Sequence, residues 1–313
     1  MTAELPDPER LAVGTKLAGR YMIQERIGVG GMAQVYRGEH STIARPVAIK
    51  VLSSDFVRTP AVVVRFLQEA RAASQVAHEN VVEVTDFGET DDGRPFIVME
   101  LLEGESLAET MLAEGPLSWP RTQALLLQIL AALGAAHERR VIHRDMKPGN
   151  CFRIQRHGSA DFIKVLDFGI AKVLREDGTG ISLTAQGTVM GTPDYMSPEQ
   201  CRGTKVDPRA DLYALGVMTY EMLTGRLPFA SKRPIDVMHM HVFEVPPPMS
   251  EVAPEADITP AMAKLVRKAM AKSPSDRFAD AAAFAAAVRA IAPKETAADS
   301  GLLTGLRRLF GRK

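Results

Sequence analysis

Two rhythms of apolar residues divide the chain. From residue 20 to about 98, short β-branched segments (Val35-Tyr36, 47–51, 81–84 and 96–99) alternate with turn residues such as Asp91-Asp92-Gly93, which predicts mostly antiparallel sheet. One helix interrupts it. Thr59 can cap that helix, Pro60 fits its first turn, and Phe66, Leu67, Ala70 and Ala73 recur at the spacing that turns one face to the strands. After Glu100 the pattern changes to long helical runs over 121–139, 211–224, 260–271 and 280–291. The switch falls near 101–106 and predicts a hinge between a strand-rich and a helix-rich half, with a cleft where ligands collect.

Composition narrows the classes. With 313 residues and 46% hydrophobic side chains the chain can fill a sizeable core, so disorder is excluded for most of it. The 38 basic and 38 acidic side chains cancel, leaving no bulk field that would draw the whole protein to nucleic acid or an anionic membrane. Cys151 and Cys201 are the only cysteines and form no CxxC pair, so neither a disulfide framework nor a structural zinc site is expected, and a reducing cytoplasm is the simple reading. The acidic, proline-bearing N-terminus lacks the features of a secretory signal. The most apolar stretch, 124–136, is interrupted by Gln128 and falls short of the roughly 20 apolar residues a membrane span needs.

Chemistry concentrates in four places. Ile27-Gly28-Val29-Gly30-Gly31 opens a Gly-rich turn that continues as strand through Val35, unlike a dinucleotide fold, where a helix follows. Such a hairpin can cover phosphates, since glycines allow positive φ and let backbone N–H groups approach anionic oxygens without an intervening Cβ. Taken alone it is also compatible with a tight hairpin that holds no ligand. Lys50 ends the apolar run Val47-Ala48-Ile49, where its ammonium needs an anion, and Glu69 on the following helix can supply one; taken singly, each reads as a solvated surface charge. Two loops complete the set, His143-Arg144-Asp145-Met146-Lys147-Pro148-Gly149-Asn150 and Asp167-Phe168-Gly169. Phosphoryl transfer needs a carboxylate to orient the attacking hydroxyl, which suits Asp145, and hard ligands for a divalent cation on the phosphates, which suits Asn150 and Asp167. Lys147 can neutralise charge on the moving phosphoryl group. Standing alone, Asp145 would read as a turn residue and His143 as a satisfied core histidine.

In this order, with Ser197-Pro198-Glu199 and Asp211-Leu212-Tyr213-Ala214-Leu215-Gly216 further on, these motifs resemble the eukaryotic-like (Hanks-type) serine/threonine protein kinases of bacteria, over about 17–291. The resemblance implies the α+β, two-lobed protein kinase fold: a small antiparallel β-rich N-lobe with one helix (17–102) and a larger, mainly α C-lobe (103–292), flanked by an extension (1–16) and a linker and tail (293–313). It implies ATP with Mg²⁺ (Mn²⁺ as substitute), protein substrates with Ser/Thr acceptors, and autophosphorylation, with homodimer formation as one route to it. Met99 would be the gatekeeper, Glu100 and Leu102 would offer backbone groups to the adenine, and Val35, Ala48 and Phe152 would sandwich it. Lys147 and Gly191-Thr192-Pro193-Asp194-Tyr195 mark Ser/Thr over tyrosine as acceptor, with Thr192 bonded to Asp145 and Lys147. Glu199 would pair with Arg277, and Asp211 would brace the catalytic loop.

The segment 153–161 is longer than the usual hairpin there and reads as a surface excursion, with Arg153, Arg156 and His157 as a basic knob or plainly solvated. Between Gly169 and Gly191, a phosphate on Thr184, Thr188 or Ser182 could pair with Arg144. In 301–313, Leu302, Leu306, Leu309 and Phe310 share a face opposite basic groups, a short cationic amphipathic helix suited to peripheral membrane or partner contact, or else a frayed tail. The alternatives to a protein kinase are a small-molecule phosphotransferase, which lacks the Ser197-Pro198-Glu199 segment, and a pseudokinase scaffold, against which Lys50, Asp145, Asn150 and Asp167 stand intact.

Overall fold

The computed structural model describes residues 10–156, 158–168 and 193–292. Gly169, Thr184, Thr188, Ser182, Thr192, His157 and the 301–313 tail lie outside the described residues.

The β-branched segments form strands β1 (Lys16–Leu17), β2 (Tyr21–Val29), β3 (Ala33–His40), β4 (Arg45–Leu52), β5 (Val84–Glu89) and β6 (Pro95–Glu100). They join in one antiparallel sheet of order β1-β2-β3-β4-β6-β5. Register decides what each face carries, because side chains alternate along a strand. Val35 lies opposite Lys50 and Ala48 opposite Met99, so these residues share a face with Ala33, Leu52 and Ile97. Against that face packs α2 (Pro60–Ser74) through Val62, Phe66 and Ala70. The other face holds Tyr36, Val47, Ile49, Val51, Phe96 and Val98, with Leu11 of the N-terminal extension laid against it. A preceding turn, α1 (Ser54–Val57), joins β4 to α2.

After β7 (Gly104–Ser106) come α3 (Leu107–Glu114) and α4 (Trp119–Glu138), then a hairpin of β8 (Cys151–Arg156) and β9 (Ser159–Val165). The remaining helices are α5 (Pro198–Cys201), α6 (Arg209–Thr224), α7 (Pro234–Phe243), α8 (Met249–Val252), α9 (Pro260–Ala269) and α10 (Ala281–Arg289). Helix α6 is buried almost all round, as expected of a helix apolar on every side. Gly216 permits its close approach to α9, since a Cβ there would sit 2.7 Å from the Ala269 methyl.

Three features depart from the sequence reading. Residues 81–82 do not extend β5. Val81 instead bridges Val165 in parallel and the Val82 N–H donates to the Val165 carbonyl at 3.0 Å, tying the small lobe to β9. Segment 153–161 falls within the antiparallel pair β8 and β9, whose register shifts between Ile154 and Arg156. Its arginines form no basic knob, because Arg153 bonds Glu105, Asp161 and Thr110, and Arg156 faces Glu79 at 3.5 Å and lies over the Phe162 ring. Helices α3 and α7 lie in stretches whose periodicity was too short to single out. No helix among the described residues is long and apolar enough to cross a membrane.

Candidate active site

The glycine turn joins β2 to β3, with the Gly30 N–H donating to the Ala33 carbonyl at 2.8 Å. None of Gly28, Gly30 and Gly31 has positive φ, so of the two reasons the sequence gives for glycine here only the missing Cβ applies. A Cβ on Gly31 would point into open space, leaving room for a ligand against the backbone. Ile27 is exposed, Val35 half-buried and Ala48 buried along the adjoining strands, while Met99, Leu102 and Phe152 are half-buried around the hinge. The Glu100 side chain takes part in the hinge itself. Its Oε1 accepts from Lys164 Nζ at 2.7 Å and from the Glu83 N–H at 2.8 Å, and its own N–H donates to Glu83 O.

β4 and α2 bring Lys50 and Glu69 together, with Nζ 2.9 Å from Glu69 Oε1 and 2.7 Å from Asp167 Oδ1. Burial works against the Lys50 ammonium, but the carboxylates of Asp167 and Glu69 outweigh it and hold its pKa above the ordinary lysine value. Burial pushes the Glu69 carboxyl up to about 7, with Lys50 opposing. Burial also opposes the Asp167 charge, yet Lys50 keeps that carboxyl below the usual carboxylate range. An ammonium has three donors, so one remains for a further anion.

The loop between α4 and β8 and the turn after β9 are both held in unusual shapes. Arg144 has φ 64° and Asp167 φ 47°, both in the left-handed region that non-glycine residues avoid. Asp211, from the buried first turn of α6, accepts from the His143 N–H at 2.9 Å and the Arg144 N–H at 2.8 Å, and its Oδ2 meets His137 Nε2 at 2.8 Å. His143 is fully buried; its Nδ1 accepts from the Asp145 N–H and its Nε2 donates to the Leu166 carbonyl at 2.8 Å. The core-histidine and functional readings therefore coincide, since this imidazole links the Asp145 loop to the Asp167 loop. Asp145 Oδ2 accepts from Lys147 Nζ at 2.8 Å and from Asn150 Nδ2 at 3.2 Å. With its amide N–H groups directed at Asp145 O and Oδ2, Asn150 could offer its carbonyl oxygen to a cation.

Asp167 and Asn150 thus supply a carboxylate and an amide oxygen. No cluster of three or more His, Cys, Asp or Glu able to hold a metal exists among the described residues. Two hard oxygens fit a divalent cation that completes its shell with phosphate oxygens and water, as Mg²⁺ does. Deeper in the large lobe, Arg277 makes a bidentate pair with Glu199, both bonds 2.7 Å, and donates to the Ala271, Arg209 and Lys272 carbonyls.

Residues 21–288 match the family described as the protein kinase domain. The chain belongs to that family. It is 42% identical over 312 residues to the serine/threonine-protein kinase pkn3 of Myxococcus xanthus, covering 97% of this chain and 57% of the relative. It is 39% identical over 269 residues to the serine/threonine-protein kinase PknB of Mycolicibacterium smegmatis, covering 85% of this chain and 42% of that protein. The chain therefore spans between about two-fifths and three-fifths of these relatives' length. Among solved structures, the PknI kinase domain of Mycobacterium tuberculosis superposes with TM-score 0.69 at 27% identity, covering 90% of this chain and 99% of that one.

Within the kinase domain, sequence reasoning missed Lys164, His137 and Gln200, each of which holds a functional segment in place. Only Gln200 leaves a local signal, the Ser-x-x-Gln capping pattern from Ser197. The partners of Lys164 and His137, Glu100 and Asp211, lie 64 and 74 positions away and no local pattern connects them.

Proposed function

We propose that the chain is an active serine/threonine protein kinase that moves the γ-phosphoryl group of ATP, with Mg²⁺ bound, onto a protein hydroxyl. The observation that carries this reading is the Asp145 carboxylate, fixed by Lys147 and Asn150 on a loop that His143 joins to Asp167. Asp145 orients the acceptor hydroxyl and takes its proton. The hydroxyl oxygen forms the new bond to the γ-phosphorus while the bond to the β–γ bridging oxygen breaks, and ADP leaves. Lys147 offsets charge on the transferring group, and Lys50, braced by Glu69, offsets charge on the α- and β-phosphates. Asn150 and Asp167 would hold the cation, which neutralises phosphate charge when bound and for which Mn²⁺ can substitute. Gly28, Gly30 and Gly31 cover the phosphates, Ile27, Val35, Ala48 and Phe152 enclose the adenine, and the backbone at Glu100 and Leu102, beside Met99, selects it.

Lys147 and the Gly191–Tyr195 sequence favour Ser/Thr acceptors, with Thr192 aligning them. Autophosphorylation at Thr184, Thr188 or Ser182, in a pair of copies, activates the enzyme by pairing phosphate with Arg144. A Thr184→Ala, Thr188→Ala double variant with full activity would remove the two threonines from that scheme. The 301–313 tail contacts anionic lipid or a partner, and liposome co-sedimentation with and without it tests the lipid version. For the reaction itself, the chain is incubated with Mg-ATP and mass spectrometry is used to seek phosphoserine and phosphothreonine. Asp145→Asn is expected to lower the rate by roughly 10²–10⁴-fold. Absence of Asp145-dependent phosphate on any hydroxyl ends the reading.

A further inference from the structure

Gln200 sits on α5, one residue after Glu199, and its amide joins two segments far apart in sequence. Oε1 accepts from the Ser197 N–H and the Ser197 hydroxyl, each at 3.0 Å, which closes the capping box of α5. Nε2 donates to the Arg144 carbonyl at 2.7 Å. The Ser197 N–H can only donate and a carbonyl can only accept, so these two partners fix which way the amide faces.

The Arg144 carbonyl is a consequential place to anchor. Arg144 holds φ 64°, a conformation that non-glycine residues avoid and that persists only where its surroundings over-determine it. Two clamps do so here. Asp211 takes the Arg144 N–H at 2.8 Å, fixing the peptide plane before the residue. Gln200 takes the carbonyl, fixing the plane after it, whose nitrogen belongs to Asp145. That plane's N–H meets His143 Nδ1 at 3.3 Å, a longer bond than the one Gln200 makes.

Helix capping does not explain the amide, because a capping box works with Glu or Gln at its third position. A glutamate carboxylate would still accept from Ser197. It has no N–H to give a carbonyl, and it would place negative charge against one. The Arg144 carbonyl is what requires glutamine.

We propose that Gln200 is a positioning residue for phosphoryl transfer, locking the Arg144–Asp145 peptide plane to the segment 193–201 so that base and acceptor platform stay in register. This rests on the phosphotransfer reading above. The test compares the full-length wild type with Gln200→Glu, Gln200→Met and Asp145→Asn, measuring thermal melting, the KM for ATP and kcat for transfer to casein. Gln200→Glu is expected to melt with the wild type and keep its KM for ATP while kcat falls about ten-fold, the scale of one carbonyl left without its donor. Gln200→Met, which loses both cap and link, is expected to show the same fall in kcat with a lower melting temperature. Wild-type kcat in Gln200→Glu overturns the proposal, and so does a KM for ATP that rises in step with the loss of kcat, the mark of general damage. Should the introduced charge prevent folding, Gln200→Met decides alone by the same two readouts. An active wild type indifferent to Gln200 strikes this inference only, whereas a wild type without Asp145-dependent transfer strikes the phosphotransfer reading beneath it.

Discussion

One ammonium between two carboxylates sets the ionisation of the cleft, and removing it exposes what it offsets. Lys50→Met leaves Glu69, whose side chain is 7% exposed, facing Asp167 without a cation. The variant is expected to lose transfer activity, which a phosphate-release or mass-spectrometric assay checks. Arg277 poses the same question where no substrate intervenes. Arg277→Ala strands a buried carboxylate and is expected to destabilise the fold by about 3–5 kcal/mol in denaturant titration, with Glu199→Ala in the same chain recovering part of the loss. His241 gives a pH test. Its Nε2 donates to the Asp194 carbonyl, so in the neutral ring Nδ1 accepts from the Tyr213 hydroxyl. Burial, aided by Lys272, lowers its pKa to about 4. The unfolded chain takes up this proton near pH 6.5, the folded one only near 4, so the unfolded state binds more protons between those values and stability falls as pH drops. The His241 contribution to that fall is expected to be about 3 kcal/mol, removed in His241→Gln.

At the scale of elements, the sequence announces those helices and strands whose pattern is long or whose turns are marked. Thr59 and Pro60 open α2 where expected, although Thr59 makes no side-chain cap bond. The turn at Asp91-Asp92-Gly93 is a true hairpin, with Gly93 at φ 81° and the Thr90 N–H donating to Arg94 O. What was illegible was pairing. Val81 reads as strand by composition, yet its neighbours draw it into a parallel bridge with β9, because a β-branched residue suits any pleated surface. Gln128, the polar interruption of the apolar run 124–136, bonds the Ile163 N–H, the Asp161 carbonyl and Asn80, pinning α4 to β9. Helix contact is equally specific at Gly216. Gly216→Ala drives a methyl into Ala269 and is expected to cost about 1–3 kcal/mol in thermal or denaturant unfolding, despite the better helix propensity of alanine.

Across the whole molecule, the two lobes do not divide where the composition changes. The large apolar cluster of the helical half also takes in Ala72, Ala73, Val76 and Val81, so the end of α2 and the segment that follows it are rooted in the core of the other lobe. A nucleotide gripped from both sides of the cleft should therefore stabilise the chain as a unit. A non-hydrolysable ATP analogue with Mg²⁺ at about 100 times its Kd is expected to add about 2.7 kcal/mol of stability, read as a rise in melting temperature. The magnesium-dependent part of that rise is expected to disappear in Asp167→Asn. By itself the sequence determined the change from short strands to long helices and the side-chain chemistry that Lys50, Glu69, Asp145, Asn150 and Asp167 bring, because periodicity and side-chain chemistry are local properties. Only the tertiary structure decided that Lys50 meets Asp167 across 117 positions, that Asp211 and Gln200 grip the strained Arg144 from opposite sides, and that Glu100 turns to Lys164, since register and long-range hydrogen bonds exist only once the chain has closed on itself.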